Sequence, residues 1–131
     1  MTDTSTTSTA AIAQELVALC RKGQNMDAIA KLYSPDIVSI ESAGSPEMPV
    51  EMRGVDAITK KNEWWGENNE VHSSEVNGPF IGDDDQFAVQ YTLETTFKPT
   101  GLRSSMTEMA LYTVKDGRIV HEHFFYNMPE A

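Results

Sequence analysis

Four clusters of residues have the types and spacing to do chemistry. Glu41 closes the apolar run Ile37, Val38, Ser39, Ile40. A carboxylate there is either a solvated strand end or, facing a cavity, a proton-transfer group. The segment from His121 to Tyr126 reads HEHFFY. Strand alternation puts His121, His123 and Phe125 on one face and Glu122, Phe124 and Tyr126 on the other. The histidine pair has the spacing of two metal ligands on a strand. His72 is distant in sequence and no third ligand is evident, so no metal is expected and the imidazoles suit the outer face of a sheet. For Glu122, the plain expectation is an ion pair with Arg118, Arg103 or Lys115 on a neighbouring strand. Asp83 to Asp85 offer oxygen ligands without EF-hand spacing and read as a solvated turn. Cys20 has no partner for an internal disulfide and, beside Leu16 and Leu19, reads as a small core residue.

The elements that must position these groups change period midway along the chain. Residues 1–9 carry no large apolar side chain after Met1 and are expected to form a mobile tail, with order beginning at Ala10. Ile12, Leu16, Leu19 and Cys20 recur at helical spacing, and Gly23 ends that helix. Asn25 is the expected cap of a second helix with the stripe Ile29, Leu32, Tyr33, which Pro35 cannot continue. A short strand over Ile37–Glu41 follows, then the loop Ser42–Pro49, whose flanking Met48 and Met52 could form an adaptable lid. Gly54 opens a third helix with Val55, Ile58, Trp64 and Trp65 on its apolar side, expected to dissolve in the polar run Gly66–Glu70. Buried indoles need partners for their N–H groups, so Trp64 and Trp65 serve as core, as pocket wall, or as a stacking surface for a ligand ring.

Beyond Val71 the period is two. A strand over Val71–Ile81 is interrupted at Gly78 and Pro79. Phe87, Val89, Tyr91, Leu93, Thr95 and Phe97 then alternate with polar residues, a long strand runs over Leu102–Val114, and an Asp116-Gly117 hairpin turn leads into Arg118–Tyr126. No repeat and no second domain is evident, so residues 10–131 are expected to form one domain.

Composition narrows the function. The chain has 131 residues and a formal charge of −10, with no basic cluster. That balance repels phosphate backbones and anionic lipid surfaces, so neither a nucleic acid nor a membrane is an expected partner. The N-terminal residues lack the basic and apolar regions of a secretory signal, and no apolar run is long enough to span a bilayer, which predicts a cytoplasmic location. Leu, Ile, Val and Phe lie only just above the ~20% below which a highly charged chain is disordered, and the alternation described above decides for a folded chain.

Three segments carry a family resemblance: MDAIAKLYSPDIVSIE (26–41), RGVDAI (53–58) and DGRIVHEHFFY (116–126). They resemble the NTF2-like superfamily, more narrowly its SnoaL-like and ketosteroid isomerase-like branch, over about residues 10 to 127. The resemblance implies an α+β fold, an NTF2-like cone of three N-terminal helices packed on a curved, mainly antiparallel sheet around a deep apolar pocket. It puts Glu41 where ketosteroid isomerases hold their catalytic base, and Glu122, Phe124 and Tyr126 on the pocket face. A one-residue slip would instead present His121 and His123. The family's two oxyanion donors fall at Leu16 and Ala110, both apolar here. Glu108, two residues before Ala110 on the same strand face, and Tyr33 and Tyr91 are the replacements at hand. The implied activity is that of an isomerase, cyclase or lyase acting on a small apolar carbonyl compound, without metal or organic cofactor. Glu41 would be the base, Glu122 or Glu108 its partner, and Tyr91, Tyr126, Phe124, Trp65, Trp64 and Tyr33 the cavity wall. The alternative is a non-catalytic module of the same fold that binds a small molecule or dimerises. A homodimer through the convex sheet face is expected in either case.

Overall fold

The structure, a computed structural model, describes residues 8–44, 49–82 and 84–126. Of the expected tail, residues 1–7 lie outside this range, but Ser8 and Thr9 belong to the start of the first helix, α1 (Thr9–Arg21), as its cap and first residue. The Ser8 hydroxyl accepts from the Ala11 backbone N–H at 3.1 Å, satisfying a donor that would otherwise be orphaned and starting the helix ahead of Ala10. Helix α1 buries Ile12, Ala13, Leu16 and Val17. Helix α2 (Asn25–Leu32) has Gln24 at its N-cap with no side-chain cap bond, so Asn25 is its first residue rather than its cap. It buries Ala28, Ile29 and Leu32.

Strand β1 (Tyr33–Ile40) starts directly where α2 ends, earlier than Ile37, and Glu41 follows it. A three-residue strand, β2 (Glu51–Arg53), pairs antiparallel with β1. The sequence gives no warning of β2, because three residues are too few to display alternation. Met52 lies in β2, so it is strand rather than lid, while Met48 lies outside the described residues. Helix α3 (Val55–Asn68) continues through Gly66. The Asn68 and Asn69 side chains donate to the carbonyls of Trp64 and Trp65, at 2.8 and 3.0 Å, satisfying the last turn where dissolution was expected.

The remaining strands are β3 (Asn69–Ile81), β4 (Gln86–Phe97), β5 (Leu102–Lys115) and β6 (Arg118–Phe125). The six form one mixed sheet in the order β2-β1-β6-β5-β4-β3, in which only the β1/β6 pairing is parallel. The β3/β4 register shifts between Asn77 and Phe80, at the expected interruption. Asp116 and Gly117 both have positive φ, 53° and 76°, the turn that matches the twist of a tight hairpin. The three helices pack on the concave face of the curved sheet, with Phe87, Val89, Tyr91, Ala110, Tyr112 and Ile119 as its buried floor. Asp84 and Asp85 form an exposed turn; Asp83 lies outside the described residues. Among the described residues no helix is long and apolar enough to cross a membrane.

Candidate functional site

Register determines which side chains meet on the concave face. Pairing sets Tyr91 opposite Glu108, Ala110 opposite Phe124, Tyr112 opposite Glu122, and Glu122 beside Ser39. Between Thr113 and Val114 the β5/β6 register slips, leaving Val120 as an extra residue. Ile119 and Glu122 can therefore both face inward, at 0% and 1% exposure. Glu122, Phe124 and Tyr126 line the cavity. The slipped alternative is thereby corrected: His121 and His123 are opposite Thr113 and Leu111, and the His123 ring stacks on Phe125 with centroids 4.2 Å apart. Burial and the neighbouring His123 lower the His121 pKa. His72 lies on β3, 2.7 Å from the Thr96 hydroxyl. Among the described residues no three His, Cys, Asp or Glu side chains are grouped as a metal site.

The cavity encloses about 540 Å³ between the helices and the sheet, within the ordinary range for small-molecule sites. Its lining includes Glu41, Glu108 and Glu122, together with Tyr33, Trp64, Trp65, Tyr91, Phe124 and Tyr126. All nine of these candidates are thus brought to one cavity. Leu16 and Ala110 are buried and apolar, at 1% and 0% exposure.

One charged residue of the cavity is not among the candidates that the sequence offers. Lys61 projects from α3 into the cavity, and its ammonium donates to Glu41 Oε2 and to the Ser39 hydroxyl, both at 2.9 Å. It lies 3.9 Å from Glu122 Oε2 and 5.3 Å from the centre of the Phe124 ring. The available signal was spacing: Lys61 is three residues after Ile58 and four before Trp65, a charge on the helix's apolar stripe. Arg118, Arg103 and Lys115 are not the partners of Glu122; Arg103 pairs with Glu94 at 2.7 Å instead.

Lys61 is the centre of a continuous polar chain. Tyr33 donates to Glu122 Oε1, and Ser39 donates to Glu122 Oε2 at 2.7 Å. On the other side Tyr126 donates to Glu41 Oε1 at 2.8 Å. Burial raises the Glu122 pKa, opposed by Lys61 and by the two hydroxyl donors. Glu108 is different. No hydrogen-bond or ion-pair partner for it occurs among the described residues, and its pKa is pushed up to about 7, first by burial and then by the negative charge of Glu41. Lys61 opposes that rise and Glu122 adds to it. Glu108 and Tyr126 also line a shallower groove of about 500 Å³ beyond the end of β6.

The phenols stay protonated at neutral pH. Burial raises the pKa of Tyr33, Tyr91 and Tyr112 well above 10, and burial with donation to Glu41 raises Tyr126. Tyr91 and Tyr112 share a hydrogen bond of 2.8 Å, and Cys20 Sγ lies 3.8 Å from the Tyr91 hydroxyl. Burial raises the Cys20 pKa too, so this sulfur is a neutral thiol in the cavity wall.

A family model described as a SnoaL-like domain matches residues 7–126. Among solved structures, a Mesorhizobium loti protein provisionally described as a SnoaL-like polyketide cyclase is 39% identical, covering 92% of this chain and all of that one, with TM-score 0.86. An NTF2-like protein from Burkholderia thailandensis shares the fold at 20% identity, covering 92% of each chain, with TM-score 0.78. A Mycobacterium tuberculosis protein in complex with estradiol-17beta-hemisuccinate does so at 20% identity, covering 93% of this chain and 96% of that one, with TM-score 0.71. No curated protein matches the sequence.

Proposed function

We propose, for a chain that belongs to the SnoaL-like domain family, that the cavity performs carboxylate acid/base chemistry on a small apolar carbonyl compound, as an isomerase, cyclase or lyase. One observation carries the reading: two carboxylates enter one cavity from opposite electrostatic surroundings. Glu41 faces an ammonium and a phenol donor, whereas Glu108 has no partner among the described residues and titrates near 7. A carboxylate fixed by an ammonium and a phenol and, in the same cavity, a carboxyl with no partner among the described residues offer one group for each role, base and acid. Glu41 Oε1 and Oε2 each keep a lone pair after accepting from Tyr126 and Lys61. Glu41 would take a proton from carbon adjacent to the carbonyl, and the neutral carboxyl of Glu108 would donate to the oxygen that gains charge. Glu122, buried and held by Tyr33 and Ser39, would hold Lys61 in place.

The test works even with the substrate unidentified. Loss of α-proton NMR signals from a panel of enolisable monocyclic and bicyclic ketones in D2O reports proton abstraction directly. The protein should accelerate exchange for some members, and Glu41→Gln and Glu108→Gln should each lower the rate by about 10²- to 10⁴-fold. The rate should fall about tenfold per unit above pH 7, where Glu108 loses its proton. Undiminished exchange in both variants would sink the assignment.

Leu16 and Ala110 favour a second reading, a binding module without chemistry, because they are apolar where the wider family places oxyanion donors. The M. tuberculosis fold relative with its estradiol ester is an example of a ligand in such a fold. Under that reading ketones bind and no exchange occurs. Either version would operate in the cytoplasm as a homodimer through the outer sheet face, where Met109 and Phe125 are exposed; sedimentation of a monomer at micromolar concentration would refute the dimer.

A further inference from the structure

We propose that the cavity binds a hydrophobic amine, with its ammonium seated on Glu108 and its apolar body against the α3 wall. Glu108 lies between two phenol-bearing positions on the concave face, Tyr91 opposite it on β4 and Tyr126 beyond the end of β6. Every other charged side chain of the cavity is already engaged. Lys61 is committed to Glu41 and Ser39, Glu41 to Lys61 and Tyr126, and Glu122 to Tyr33 and Ser39. An ammonium would find in Glu108 an open acceptor, with two phenol-bearing residues beside it in the cavity lining. Across the cavity, Trp64 and Trp65 offer apolar surface for the rest of the ligand.

A carboxylate ligand meets the opposite situation. The lining presents three carboxylates and one ammonium, and that ammonium is occupied. The chain's charge of −10 also favours the approach of cations over anions. An amine can bind with its charge only when Glu108 is ionised, against the opposing charges of Glu41 and Glu122 and with Lys61 as the nearest competing cation. Affinity should therefore rise with pH through about 7. Amine binding requires no turnover, so it is decided separately from the proton-transfer reading.

Three probes with one apolar body and different heads test this: 1-adamantylamine, 1-adamantanol and adamantane-1-carboxylate, in 0.15 M salt. Trp64 and Trp65 are the only tryptophans and both line the cavity, so intrinsic fluorescence reports occupancy, with calorimetry as the check. At pH 8 the amine should bind at least about tenfold tighter than the alcohol, and the carboxylate weakest. Between pH 8 and pH 6 the amine should weaken by about tenfold while the alcohol stays constant. Glu108→Gln should abolish the amine's advantage over the alcohol, with an unchanged circular dichroism spectrum and a cooperative urea-unfolding transition showing that the protein is still folded. Equal or tighter alcohol binding at pH 8, an advantage that survives Glu108→Gln, or no binding by any of the three at millimolar concentration would each overturn the proposal.

Discussion

The two walls of the cavity handle their carboxylates in opposite ways. On the β1, β6 and α3 side, Glu41 and Glu122 are embedded in a chain of donors running from Tyr33 through Ser39 and Lys61 to Tyr126. On the β4 and β5 side, Glu108 lies between the positions of Tyr91 and Tyr126 and has no donor among the described residues. A carboxylate held by donors is fixed in position, as a base must be, whereas one without a donor stays open to a ligand's donor. Function on this reading comes from the contrast between the walls, with one wall rigid and charged and the other adjustable.

The contrast can be broken most severely at Glu122. Glu122→Ala would leave the Tyr33 and Ser39 hydroxyls without their acceptor and remove a neighbour of Lys61, all in a buried setting. Urea unfolding should show a loss of about 3–5 kcal/mol. A loss below about 1 kcal/mol would mean that the chain of donors contributes little to the fold. Glu108→Gln should act in the other direction. The folded-state pKa of Glu108, about 7, lies above its ordinary value of 4.5, so the folded protein binds more protons between those values and stability falls as pH rises through that window. The Gln variant should lose that slope and exceed the parent by about 1–3 kcal/mol above pH 7. Identical pH profiles would show that Glu108 is not the isolated group described here. The smallest effect should come from an exposed pair, Arg103 with Glu94, whose side chains are 57% and 37% exposed. Arg103→Ala should change stability by less than about 0.5 kcal/mol in 0.15 M salt; a larger change would blur the distinction between inner and outer ion pairs.

Much of the scaffold was legible in the sequence. The alternation of β4, the Asp116-Gly117 turn and the split of the HEHFFY strand into Glu122, Phe124 and Tyr126 against His121 and His123 all reappear in the structure. β2 did not show in the sequence, because its three residues acquire strand geometry only by pairing with β1. The cap at Ser8 and the Asn68 and Asn69 closure of α3 shifted helix ends for a similar reason, since polar side chains satisfied backbone groups locally.

The site divides along the same line. Residue faces follow from periods of 2 and 3.6, which are properties of neighbouring residues, so the sequence by itself divided the HEHFFY strand into its two faces, while the family resemblance implied that Glu41, Glu108 and Glu122 share the concave one. Which of them is tied and which is open depends on contacts far apart in the chain. Lys61 reaches Glu41 across 20 positions and Tyr126 reaches it across 85. Those meetings exist only once β1 pairs with β6 in its observed register and α3 lies over the sheet. Electrostatic surroundings are a property of three-dimensional distance and of water exclusion, and the tertiary structure alone decided both.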